Sequence, residues 1–232
     1  SGSISSDLLV PGTPTVKLNG HPLFAGLVDA AGATTPTNYT VTLNGGAVAR
    51  YVVRRVDPIA MPVVTAPRAP AGVRDVTLTR PNDRAGDFAT IRNLTLNGNA
   101  GVVAVPAGVY GHLTANGNSR LVLGATGATQ PSVYELQALT LNGQASLQIV
   151  GPVKLKLARG TSINGTIGSV DHPEWLELEI ADGGLTVNGG AMVHAIVTAP
   201  NGAVTVSGTL HGRISADRLT LNGGGLIEAP TL

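Results

Sequence analysis

The chain keeps returning to one five-residue pattern of apolar and polar positions: apolar, Thr, apolar, Asn, Gly. As Leu-Thr-Leu-Asn-Gly it stands at residues 94–98, 139–143 and 219–223. Near-copies end at Asn116-Gly117, Asn164-Gly165, Asn188-Gly189 and Ser207-Gly208, so successive units stand 19, 26, 22, 24, 19 and 15 residues apart. In each unit the two apolar residues share one face and the Thr takes the other, the period of a half-buried strand. Asn-Gly then turns the chain, because both residues tolerate positive φ. Asn-Gly also closes hairpins, yet the unit always recurs with the same polarity. Steps of this size fit three short strands and their corners, the coil of a solenoid. The pattern therefore predicts an all-β chain, a right-handed parallel β-helix (β-solenoid) with rungs of about 20 residues and irregular loops, the hand following the general preference of parallel crossovers.

One rung can be drawn from residues 185–206, with strands expected at 185–187, 192–198 and 203–206 and corners at 188–190 and 199–202. No segment carries a helical period of useful length. Upstream, residues 16–20 and 39–56 repeat the strand pattern more weakly. The expected organisation is N-terminal rungs or a cap over 1–57, a Pro- and Arg-rich connector over 58–88, and the main β-helix over 89–232, all in one continuous structural domain. The connector reads as an extended, polyproline-like segment hugging the solenoid or linking two halves. The two open ends of such a stack invite self-association unless the N-terminal rungs and the final residues cap them.

Composition narrows this picture. Aromatic residues are only 3% of the chain, so the interior must be thin enough for aliphatic side chains to fill. Charge is sparse and the formal net is +1, which gives no general reason for a nucleic-acid or anionic-membrane partner. Cysteine is absent, excluding disulfides and thiolate metal sites, and no motif asks for a cofactor. No apolar run reaches the ~18 residues of a membrane helix, so no membrane insertion is expected in this segment. The opening Ser1-Gly2-Ser3 reads as the remnant of a removed tag, and any signal peptide is expected to lie outside this sequence.

Residues 94–111, 139–155, 193–212 and 216–227 resemble bacterial extracytoplasmic β-helix repeat domains, those of PilX-like and type IV pilus-associated surface proteins, and bear a distant likeness to bactofilins. The resemblance implies the fold and an extracytoplasmic location, secreted or at the cell surface. It brings no activity with it.

Four sets of residues are candidates for chemistry. Thr95, Thr114, Thr140, Thr186, Thr205 and Thr220, with Ser162, are expected to form one outward column, and the Asn residues a second at the turn. The Thr column is a candidate binding face; structurally, Thr suits strands and stacked Asn side chains bond along a turn. The acidic stretch 171–182 places Glu177 and Glu179 two apart on one strand face, about 6.5–7 Å apart, near the spacing of paired glycosidase carboxylates. The same letters also make an ordinary solvated strand face. Asp171 and Glu174 could hold a cation there, and Trp175 could stack on a sugar or cover a corner. Aligning residues 192–197 with 209–214 puts His194 and His211 in one column, with Tyr110 in register, although zinc wants three or four ligands. Finally, eight arginines, Arg54 and Arg55 among them, against four acids give residues 50–92 a charge of +4, leaving −3 elsewhere. Such asymmetry suits an anionic glycan or a protein partner. The leading expectation is a non-enzymatic structural or adhesive module of a bacterial surface or secreted protein, touching a glycan or another surface protein. The alternatives are a polysaccharide-active lyase or glycosidase using the paired carboxylates, and an ice-binding Thr-x-Asn face.

Overall fold

A computed structural model describes residues 2–57 and 61–229. The first residues of the expected connector, 58–60, and the last of the expected capping tail, 230–232, lie outside the described residues. Six strands come first: β1 (Ser3–Ile4), β2 (Leu8–Pro11), β3 (Thr13–Asn19), β4 (Leu23–Asp29), β5 (Pro36–Asn44) and β6 (Val48–Val56). Thirteen follow: β7 (Arg74–Leu78), β8 (Ile91–Leu96), β9 (Val102–Ala104), β10 (Gly108–Ala115), β11 (Arg120–Leu123), β12 (Ser132–Leu141), β13 (Ser146–Ile149), β14 (Val153–Ile163), β15 (Thr166–Gly168), β16 (Leu176–Val187), β17 (Met192–Val206), β18 (Thr209–Leu221) and β19 (Leu226–Glu228). Seventeen strands join one sheet, β3 and β5 make a second, and every pairing between them is parallel. The chain is a parallel β-solenoid.

Each coil has three faces, and the inward residues of each face stack into columns. On the face of the pentapeptides, Leu78, Leu96, Ala115, Leu141, Ile163, Val187, Val206 and Leu221 are all buried. On a second face the column runs Leu121, Leu147, Ile167, Val193, Leu210 and Ile227, each the register partner of the next. A fully buried Leu or Ile contributes about 1.5–3 kcal/mol, and the interior is built from these side chains with few aromatics. Tyr134 is an exception that serves two loops: its hydroxyl donates to the Val105 carbonyl at 2.9 Å and accepts from the Gly124 N–H at 3.0 Å.

The drawn rung differs from the real one in its corners. Residues 192–198 are not one flat strand: Met192–His194 pair with β15, whereas Ile196–Thr198 pair with β16. The backbone turns from one face to the next near Ala195 without Gly or Pro, and strand geometry continues through the expected corner at 199–202. Close stacking at the bends needs bare backbone instead. A Cβ on Gly184 would run into the Ala203 carbonyl of the next coil.

The N-terminal strands do not precede the main stack in space. β1 pairs with β19, β6 pairs with β1, and β4 pairs with β6. The second-face column therefore continues from Ile227 to Ile4, Ala49 and Phe24. The chain covers the C-terminal end of its solenoid with its own beginning. At the other end, β7 pairs only with β8 and β9 only with β11 among the described strands. β7 itself falls in the segment expected as connector.

The proline-rich segment between these ends lies along the solenoid as a strap. The Arg68 backbone N–H and guanidinium both donate to one Glu135 oxygen at 3.1 Å, and the Gln137 amide donates to the Arg68 carbonyl at 2.8 Å.

Candidate functional site

The pentapeptide Thr residues stand in one register. Thr77 pairs with Thr95, Thr95 with Thr114, Thr114 with Thr140, Ser162 with Thr186, Thr186 with Thr205, and Thr205 with Thr220. Their side chains face out, spaced by the ~4.8 Å of neighbouring strands. Beside the C-terminal half of this column lies a shallow open trough lined by Gly160, Ser162, Gly184, Thr186, Ala203 and Thr205. At the adjoining corner the Asn side chains bond to one another. Asn116 donates to Asn97 at 3.2 Å, Asn142 to Asn116 at 2.9 Å, and Asn188 to Asn164 at 2.7 Å. Asn222 instead meets Ser207 at 3.1 Å, where the repeat replaces Asn. The ladder occupies the amides in holding the turns.

Glu177 and Glu179 do share a face of β16, but a cation sits between them. Lys154 on the neighbouring strand reaches Glu177 at 3.0 Å and Glu179 at 3.1 Å. Their hydrogen bonds, that to Glu177 foremost, raise the lysine above its usual pKa. The result is a half-exposed ion-pair ladder in which one ammonium bridges both carboxylates.

The basic segment is similarly occupied. Arg54 holds Asp29 at 2.7 Å, and Arg55 donates to the Gly32 carbonyl at 3.2 Å. Arg55 adopts φ 57° at the register shift where β2 meets β6. Arg92 pairs with Asp75 at 2.6 Å, and Arg74 donates to the Ala85 carbonyl at 2.7 Å. These guanidinium groups pin loops and strands of their own chain.

The remaining candidates converge. His194 and His211 are register partners with rings stacked 4.8 Å apart and 7° from parallel. Tyr110 is not in their column: it pairs with Leu136 on another face and is buried, its hydroxyl on the Pro106 carbonyl at 2.8 Å. The letters of β10 resemble β17, but β10 enters its coil at a different face. The true outward column is Gln148, Gly168, His194, His211 and Glu228.

Over this column hangs the excursion between β15 and β16. It leaves at Gly168, whose φ of 107° suits a residue without a side chain, and closes in a 3-10 turn, Pro173–Trp175. Trp175 packs on the core, and His172 stacks on it at 4.0 Å while its Nδ1 meets Glu174 at 2.9 Å. Trp175 thus covers a corner. Between the loop and the column lies a cavity of about 250 Å3 lined by Val170, Asp171, Glu174, His194, His211 and Glu228. His211 Nδ1 meets Glu228 at 3.0 Å.

His194 is 4% exposed, and neither of its ring nitrogens has a hydrogen-bond partner. Leaving a buried polar group unpaired costs about 1–3 kcal/mol. Burial, aided by His211, pushes its pKa below the usual 6.5, so the ring is neutral at pH 7. Apart from the two imidazoles, every titratable side chain lining the cavity is a carboxylate, which makes the cavity rich in electron-pair donors.

The sequence named Asp171, Glu174, His194 and His211 separately; the fold brings all four to one cavity. Glu228 was missed, because nothing in its local letters marks it as the next member of the histidine column. Among the described residues, no helix is long and apolar enough to cross a membrane. Comparison with protein-family models, curated proteins and solved structures gives no match, so the site is read from its own geometry.

Proposed function

We propose that the chain is a non-enzymatic structural module of a bacterial surface or secreted protein, a rigid solenoid that docks through its Thr face on a glycan or another surface protein. The observation carrying this reading is the outward run of hydroxyls from Ser162 through Thr186 and Thr205 to Thr220 beside the trough at Gly160, Gly184 and Ala203. Hydroxyls both donate and accept, and bare backbone beside them lets a polymer approach closely. The rung resemblance to extracytoplasmic β-helix domains supports the location. The pairing of Glu177 and Glu179 with Lys154 weighs against the enzyme reading, since the ammonium occupies the place between the two carboxylates where a substrate oxygen would have to sit.

Co-sedimentation with insoluble cell-surface polysaccharides tests the proposal. Retention is expected for the parent chain and loss for Thr186→Arg with Thr205→Arg, at unchanged thermal stability. Retention indifferent to these changes overturns the Thr face. Release of reducing ends or unsaturated products, abolished by Glu177→Gln or Glu179→Gln, overturns the non-enzymatic reading. The regular hydroxyl spacing also favours ice as a second ligand of the same face, detectable as thermal hysteresis and ice shaping.

A further inference from the structure

We propose that the cavity under the 170–174 loop is a binding site for a divalent transition-metal ion of the zinc class, taken by His211 and His194 together with Asp171, with Glu228 positioning the His211 ring.

Three observations carry this. First, His194 is buried with both ring nitrogens unpartnered, while it lines a cavity. Buried polar groups are almost always satisfied, and an orphan beside a cavity marks the place of a missing partner. Second, the lining offers acceptors: two imidazoles and the carboxylates of Asp171, Glu174 and Glu228, with no Lys or Arg among them. An acceptor-rich site selects a cation, and imidazole nitrogen favours zinc-like ions over calcium or magnesium. Third, His211 already has the arrangement that metal-binding histidines use. Its Nδ1 meets Glu228 at 3.0 Å, which orients the ring, fixes the tautomer and leaves Nε2 with its lone pair free.

The site is assembled on binding. Among the described residues, no three His, Asp or Glu side chains already stand where they could hold one ion. Two Zn–N bonds of about 2 Å at a tetrahedral angle place their nitrogens about 3.3 Å apart. Rings stacked with centroids at 4.8 Å need only tilt towards one another to meet this. Asp171 supplies the third ligand from the overhanging loop. It is exposed and, among the described residues, has no ion-pair partner to give up. Glu174 is held by His172 at 2.9 Å and is the less ready donor.

The experiment uses the full chain, stripped with a chelator and titrated with Zn2+ by calorimetry, and with Co2+ by visible absorption. One ion per chain is expected, with Co2+ giving the bands of a low-coordinate site with nitrogen ligands. His211→Ala and Asp171→Asn should each weaken binding at least about tenfold. Glu228→Gln, which leaves every ligand in place, should weaken it about 10–100-fold. Asp171 and Glu228 are at the surface, so these variants fold even if His194→Gln does not. His112→Ala, far from the cavity, should change nothing. Absence of binding overturns the site, as does binding that Asp171→Asn and His211→Ala leave intact, a preference for Ca2+ over Zn2+, or loss of binding in His112→Ala.

Discussion

Replacing Ser3 and Leu226 with cysteine tests the least expected feature of the fold, the stacking of the chain's beginning on its end. The two residues are register partners across the β1–β19 pair. Neighbouring strands run about 4.8 Å apart, inside the 4.4–6.8 Å window of disulfide Cα separations. The chain has no cysteine of its own, so the only bridge available is the engineered one. Closing a loop of about 220 residues removes unfolded-state entropy worth about 5 kcal/mol at 25 °C in the chain-entropy model. Strain from drawing the two β-carbons together reduces this, and a gain of about 2–4 kcal/mol is expected. Thiol titration of the folded protein, mobility on a non-reducing gel, and urea midpoints with and without reductant measure the outcome. Val102 lies in the same outward column as Leu226 but at the far end of the stack, six strand spacings away, or about 29 Å. If residues 2–57 stacked ahead of β9, as chain order alone suggests, Ser3→Cys with Val102→Cys would link and Ser3→Cys with Leu226→Cys would not. That result would refute the reasoning.

Two further expectations follow from the strap and the bends. The Arg68 backbone N–H, helped by its guanidinium, holds the Glu135 carboxyl below its ordinary 4.5. A depressed folded-state pKa means that the contact contributes fully above about pH 4.5 and is lost as pH falls through the lower folded value. Hydrogen exchange of residues 61–72, corrected for intrinsic rates, should accelerate below pH 4.5 in the parent, whereas Glu135→Gln should exchange quickly at every pH; equal protection at pH 7 in both would disprove the strap contact. Gly184→Ala should cost about 3 kcal/mol by urea denaturation, since its Cβ meets the Ala203 carbonyl of the next coil. Gly189→Ala, with open space around it, should cost far less.

The pentapeptide made much of the fold legible because it couples a two-residue side-chain period to a turn at a constant place. Repetition of that coupling fixes register: Thr95 against Thr114 and Thr140 could be read from letters alone. Where a corner lacks Gly or Pro the coupling fails. The bend near Ala195 sits inside an uninterrupted apolar run, so residues 192–198 read as one strand while serving two faces. Tyr110 was misplaced for a related reason, since similar letters begin on different faces in β10 and β17. The candidate cavity was visible as residues and invisible as a place. Asp171 and Glu174 lie in an insertion whose direction no period sets, and Glu228 joins His211 only through the register of a three-residue strand.

The order of the coils was the least legible feature, because a sequence states which segments repeat but not which ones touch. Inward columns accept any coil with the right apolar spacing, and β1 and β6 extend the Leu210–Ile227 column as readily as a further C-terminal rung would. Geometry nonetheless constrains the return. From β6 to β9 the second face spans eight strand spacings, about 38 Å. At the polyproline rise of about 3.1 Å per residue, the 17 residues 57–73 that join β6 to β7 would reach about 53 Å, whereas a helix of the same length would reach only about 26 Å. An extended strap is the form that spans the stack with so few residues. Its prolines deny the sheet a ladder along its length, so it passes the coils without adding to them. Arg68, near the middle of the strap, docks on Glu135 in β12, near the middle of the stack, as a straight return path requires.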